Sequence, residues 1–198
     1  RACGVNRITG NTGACHTDAQ MRVARAALHF WEEPCISGQE GSGAIFFTGC
    51  ALGCVFCQNT DISRGQAGKT VTVEQLARIC LNLQAQGANN INLVTAGHYL
   101  LAVAEALKLA KVQGLQIPVV YNSSGYEKPE SLRLLDGLVD IYLPDMKYMD
   151  ADLARKYSHA GDYPEVAKIA LAEMVRQCPE AEFDERGQMK KGVIVRHL

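Results

Sequence analysis

Short apolar runs alternate with helix-patterned stretches from residue 44 onward, and that rhythm allows few folds. Residues 44–49, 90–96, 117–123, 140–146 and 192–198 read as strands. Between the first two, residues 72–87 carry Val73, Leu76, Ile79, Cys80 and Leu83 at helical spacing, with Thr72 as N-cap and Gly87 as stop. Residues 98–114 form a helix ended by Gly114, 128–137 one with Pro129 in its first turn, and 150–159 and 163–178 two more. Strands joined through helices run parallel. These strands lack polar alternation, as fits strands covered on both faces. Residues 1–43 read as a separate N-terminal segment, irregular, Gly-rich and cysteine-containing, with one short helical stretch at 18–30.

Two layouts satisfy this pattern, an open doubly wound sheet and a partial (β/α) barrel over 44–198. A full eight-fold barrel takes ~250 residues, more than this chain has. No G-x-G-x-x-G follows the first strand, which weakens the dinucleotide-binding form of the open sheet. In both layouts chemistry gathers at the C-terminal ends of the strands. Read in order, those ends present Cys50, Cys54 and Cys57; Thr95, Gly97 and His98; Asn122, Ser123, Ser124 and Gly125; Asp145 and Lys147; Arg196 and His197. Loops are polar anyway, yet every strand delivers ligand-capable groups to one rim.

Composition excludes several partners. A formal net charge of −1 without a basic stripe argues against nucleic acid. No apolar run approaches the ~20 residues of a membrane span, and no signal-peptide core opens the chain. The chain starts without Met and closes on an apolar, strand-like run, so further residues are expected at both ends. There are eight cysteines. Disulfides would suit an extracellular protein, but three thiols crowd into "CALGCVFC", which favours metal or redox chemistry in a reducing, cytoplasmic setting.

The C-x3-C-x2-C spacing of Cys50, Cys54 and Cys57 has four readings. As i, i+4, i+7 it marks one helix face, but Gly49 and Gly53 and the preceding strand oppose a helix. Zinc needs a fourth ligand, from His98 or Asp145, or a water. A redox pair of Cys54 and Cys57 leaves Cys50 unexplained. An iron–sulfur cluster normally takes four thiolates; three leave one iron open for a substrate. One loop can wrap such a cluster, with glycines allowing close approach and Phe56 screening water.

With "NINLVTAGHY", "VVYNSSGYE", "DIYLPDMKYMD" and "VIVRHL" beside "GSGAIFFTGCALGCVFCQN", residues 43–198 resemble the radical SAM superfamily. The nearer likeness is to the pyruvate formate-lyase activating enzyme-like iron–sulfur branch. The resemblance implies a [4Fe–4S] cluster on Cys50, Cys54 and Cys57, and S-adenosylmethionine chelated to the open iron. It implies reductive cleavage to methionine and a 5′-deoxyadenosyl radical, a flavodoxin- or ferredoxin-like reductant, and a glycyl radical enzyme as protein substrate. Asn122 and Ser123 fall where activating enzymes place an acid and a threonine near the methionine end. Asp145 and Lys147 match their D-x-K, and Arg196 an arginine on the fifth strand.

Many members carry Gly-Gly-Glu after the second strand to hold the amino group. Here the chain reads Thr95-Ala96-Gly97-His98, which leaves Thr95 and backbone carbonyls for that role. His98 is either a site residue or a helix-start residue without a catalytic role. Cys3 and Cys15 resemble the end of a cysteine-rich leader and are two ligands short of a metal site. Cys80 and Cys178 read as core residues, and Cys35 has no assignment. The competing class is a non-catalytic metal protein, either a zinc site or an electron carrier.

Overall fold

The computed structural model describes residues 3–197. Arg1, Ala2 and Leu198, named above within the first segment and the fifth strand, lie outside the described residues. The chain runs β1 (Arg22–His29), α1 (Pro34–Ser37), β2 (Ser42–Phe47), α2 (Thr60–Ser63), β3 (Lys69–Thr70), α3 (Val73–Ala85), β4 (Ile91–Val94), α4 (Leu100–Val112) and β5 (Val119–Ser123). It continues through α5 (Pro129–Leu132), β6 (Ile141–Met146), α6 (Ala151–Ser158), α7 (Tyr163–Gln177), β7 (Glu182–Phe183), β8 (Met189–Val193) and β9 (Arg196–His197). The sheet order is β3-β1-β2-β4-β5-β6-β8-β7, with β9 on β6. β2, β4, β5, β6 and β8 pair in parallel. This is an α/β chain with a partial (β/α) barrel.

Each parallel strand buries one face against helices and the other in the barrel lumen. Ile45, Ile91, Leu93, Val119, Tyr121 and Tyr142 pack in the core beneath α3 and α4. Their alternating neighbours Val120, Ile141 and Leu143 join Ile36 and Met189 on the lumen floor. The next inward positions up two of these strands are polar, Asn122 on β5 and Asp145 on β6. Helix α3 starts at a capping box, in which Thr72 accepts from the Gln75 amide and the Gln75 side chain accepts from the Thr72 amide.

Two sequence expectations change, and one element is added. The stretch 18–30 is not helical; residues 22–29 form β1, antiparallel to β2 from Val23↔Phe47 to His29↔Ser42. Its Ala-rich composition favours helix in isolation, but the edge of β2 offers a ladder of backbone partners and buries Met21 and Val23. The N-terminal segment therefore contributes to the same sheet as the barrel strands. The fifth strand is split: β8 pairs with Ile141 and Tyr142, and β9 with Asp145 and Met146, both on β6. Strand β7 forms an antiparallel hairpin with β8 that the sequence pattern did not reveal.

Among the described residues, no helix is long and apolar enough to cross a membrane. The eight cysteines are free thiols. Cys80 and Cys178 are buried in the main core, and half-buried Cys35 packs against the lumen floor.

Candidate active site at the barrel rim

Residues 48–59 leave the end of β2 as a loop with three thiols facing one cavity of about 610 Å³. The loop is tied down by its backbone. The Gly53 and Val55 amides donate to the carbonyls of Ser158 and Tyr157, at 3.3 and 2.9 Å. Those carbonyls belong to the last turn of α6, where helical carbonyls lack intrahelical partners. The Gly49 amide donates to the Ile62 carbonyl at 2.8 Å. Side chains finish the anchoring: Ser158 Oγ lies 2.8 Å from Cys54 Sγ and Ser63 Oγ 3.6 Å from Cys57 Sγ, while the Leu52 amide donates to Cys50 Sγ at 3.4 Å. Burial, reinforced by the other two thiols, pushes the Cys50 thiol up to about 11. It keeps its proton at neutral pH until a metal displaces it. Phe56 lines the same cavity, half-exposed and edge-on to Tyr148.

The other rim candidates line that cavity too. Thr95, Asn122, Ser123, Asp145, Lys147 and Arg196 all border it. Parallel register sets their level, since Val94 pairs with Asn122, Ser123 with Pro144, and Asp145 with Arg196. Four of them form one network. Asp145 accepts from Lys147 Nζ at 2.7 Å and from Arg196 Nε at 2.9 Å, and Arg196 also donates to Asn122 Oδ1 at 2.6 Å. Thr95 and Ser123 stand outside this network. Thr95 sits at φ +60°, its amide bonded to the Asn122 carbonyl, and Ser123 Oγ accepts from the Gly125 amide. Tyr163, buried at the start of α7, fixes the rim: its hydroxyl accepts from the Lys147 amide and faces the Ser124 and Asp145 carbonyls at 2.7 and 2.9 Å.

Sequence reasoning missed Ser158, Tyr163 and Glu32. The first two sit on helices with no spacing signal. Glu32 falls just past the stretch read as helix, yet its side chain is 9% exposed and ion-paired to Arg196 at 3.3 Å.

His98 does not line that cavity but stands close to it, since Cys50, Thr95 and Ser123 line both that cavity and its neighbour. It borders a second cavity of about 500 Å³, shared with Cys3, Cys15 and Arg7, and its Nε2 donates to the Thr48 carbonyl at 2.7 Å. Burial, with Arg7 adding and the Thr48 carbonyl opposing, pushes the imidazole down to about 4. The bond to the Thr48 carbonyl ties the imidazole to the chain two residues before Cys50. A folded-state value below the ordinary 6.5 means that its contribution to stability is full above that pH and is lost as pH falls toward 4, by up to about 3 kcal/mol. Thermal midpoints should drop across that window in the wild type and drop less in His98→Gln; equal slopes would sink this account. Cys15 is buried against Thr17 and Cys3 is exposed. Backbone amides of Val5 and Ala14 hold the Cys3 thiol below its usual range.

Comparison of the sequence with known proteins gives its family. The sequence is 32% identical over 173 residues to an uncharacterized protein of Methanocaldococcus jannaschii, covering 84% of this chain and 49% of that one. It is 31% identical over 113 residues to the pyruvate formate-lyase-activating enzyme of Clostridium pasteurianum, covering 54% of this chain and 46% of that enzyme. The chain thus spans about half the length of the curated relatives it matches. The family description of the Radical SAM superfamily matches residues 44–178, from β2 to the end of α7. This chain belongs to the radical SAM superfamily, and its cofactors are the [4Fe–4S] cluster and S-adenosylmethionine of that family.

Proposed function

We propose that this chain is a radical SAM enzyme that cleaves S-adenosylmethionine reductively. The observation that carries the reading is three free thiols on one loop, opening into the same cavity as a network of two cations and a carboxylate. The donor set fits the cluster. Three soft thiolates suit iron–sulfur ligation and leave one iron without a protein ligand. A cavity of about 610 Å³ has room for a cofactor of that size. Cys50, Cys54 and Cys57 would hold the cluster. The chemistry such a cluster supplies is one-electron reduction of the sulfonium, which breaks a carbon–sulfur bond and yields methionine and a 5′-deoxyadenosyl radical.

The chain's own residues bind and orient. Lys147 and Arg196 offer charge-assisted donors to the methionine carboxylate. Asp145, held between them, keeps both ammonium and guanidinium at one level of the rim. Asn122, Ser123 and Thr95 supply neutral oxygens beside it for the amino group. Leu52 and Phe56 flank the thiols and limit water access. Passing the radical to a backbone glycine of a partner enzyme is the finer reading, supported by the likeness to an activating enzyme. A flavodoxin- or ferredoxin-like reductant and a cytoplasmic setting go with it.

The test is anaerobic reconstitution with iron and sulfide, reduction, and addition of S-adenosylmethionine. Formation of 5′-deoxyadenosine is expected. A protein that holds four irons and makes none would move the assignment to an electron carrier, and one that takes zinc instead of iron to a zinc protein.

A further inference from the structure

We infer that Glu32, on the loop beneath the barrel, is a positioning residue that holds Arg196 in place for S-adenosylmethionine. The inference rests on the functional reading above and adds a residue from outside the family-matched segment.

The topology explains how Glu32 gets there. Because β1 runs antiparallel to β2, His29 lies beside Ser42, at the N-terminal end of the parallel strands. The chain then turns under the lumen, where Ile36 of α1 closes the floor with Val120, Ile141, Leu143 and Met189. The turn is fixed: the Glu32 amide donates to Ser37 Oγ at 3.0 Å, and the Asn90 side chain donates to the Ile36 carbonyl at 2.8 Å. From that floor the Glu32 carboxylate reaches Arg196 Nη1 at 3.3 Å and accepts a longer contact from Asn122 Nδ2 at 3.4 Å.

Arg196 needs such a partner. Strand β9 is only two residues long, so backbone pairing does little to aim a side chain with several rotatable bonds. Three bonds aim it instead, to Asp145, Asn122 and Glu32, and they use three of the five guanidinium N–H donors. Among the described residues nothing takes the two donors left over, which can meet a ligand carboxylate. Asp145 divides its charge between Arg196 and Lys147. Glu32 is therefore the carboxylate that opposes Asp145 across the guanidinium, and Glu33 stands farther off at 3.9 Å. A carboxylate this well covered is costly to bury and is weak as a source of stability. Its place in the cavity wall, against the one arginine of the network, points to orientation of that arginine.

Charge and position predict opposite signs. If Glu32 mattered only through its field, removing a negative charge beside Arg196 would tighten binding of a carboxylate. If it positions Arg196, removal loosens the guanidinium and weakens binding. The experiment is anaerobic titration calorimetry of S-adenosylmethionine into the reconstituted holoprotein with its cluster oxidised, so that no turnover occurs. Glu32→Ala is expected to weaken binding about tenfold, the size of one charge-assisted hydrogen bond. Glu32→Gln keeps an acceptor and should lose about threefold; it also carries the test where the alanine variant fails to fold. In an Arg196→Ala background both losses should shrink below about twofold, since the two side chains act as a unit. Unchanged or tighter binding in the Glu32 variants would overturn the inference, as would losses of full size without Arg196. Wild-type holoprotein that does not bind S-adenosylmethionine at all would instead overturn the functional reading.

Discussion

Cys54→Ala is expected to cut iron loading sharply and to lower 5′-deoxyadenosine formation by about three orders of magnitude or more. The three thiols are the whole thiolate supply of the cavity wall, and Cys54 is the middle one, held by the Ser158 hydroxyl at 2.8 Å. Structural zinc sites spread roughly 10–16 kcal/mol over four ligands, and on that scale one lost thiolate removes about 2.5–4 kcal/mol. On a two-thiolate cluster the fall in activity should reach about three orders of magnitude or more. Iron per chain, read together with visible absorbance, should drop well below four. Two controls separate ligation from general damage. Ser158→Ala removes a partner of the thiol and not the thiol, so a loss of only about 10–100-fold is expected. Cys80→Ala removes a core thiol far from the cavity and should leave loading intact. A Cys54→Ala protein that still binds four irons and still makes 5′-deoxyadenosine would refute the assignment of the loop.

The alternation of apolar runs and amphipathic helices made the parallel sheet legible, because burial on both faces keeps most strand positions apolar below the rim, with Asn92 in β4 a buried polar exception. The rim residues were legible for the same reason: Asn122, Asp145 and Arg196 interrupt or end otherwise apolar runs. What the sequence hid is set by long-range partners. Residues 22–29, with Ala24, Ala26, Ala27 and Leu28, carry a helix-forming composition and become a strand only because β2 offers an open edge. Glu32 follows from that reversal. Read after a helix it is an ordinary exposed acid; placed after an antiparallel edge strand, it lies beneath the lumen and meets Arg196. Ser158 escaped notice because its contact with Cys54 spans 104 residues of sequence. Spacing left His98 open between two readings, and its bond to the Thr48 carbonyl, two residues before Cys50, is a fold contact that spacing does not encode.

Gly49→Ala is expected to cost about 3–5 kcal/mol of stability and to disorder the cysteine loop at its first ligand. Gly49 sits at φ +96°, where a Cβ would lie 2.5 Å from the Cys15 carbonyl oxygen and 2.7 Å from Thr17 Cγ2. The left-handed region alone costs an L-residue roughly 1–2 kcal/mol. The rest is overlap, and the first neighbour is backbone that cannot swing aside. Relief has to come from moving the loop, which stretches the 2.8 Å bond from the Gly49 amide to Ile62 and displaces Cys50 next to it. At about 2–4 °C per kcal/mol for a domain of this size, the thermal midpoint should fall by roughly 6–20 °C. Gly87→Ala is the matched control: it sits at φ +88° with nothing within 4 Å of the added Cβ, so it bears only the conformational cost. If Gly49→Ala lowers the midpoint no further than Gly87→Ala, residues 15–17 do not press on the loop. If it lowers the midpoint as expected yet loads four irons and cleaves S-adenosylmethionine at the wild-type rate, the N-terminal segment supports the fold without aiming Cys50.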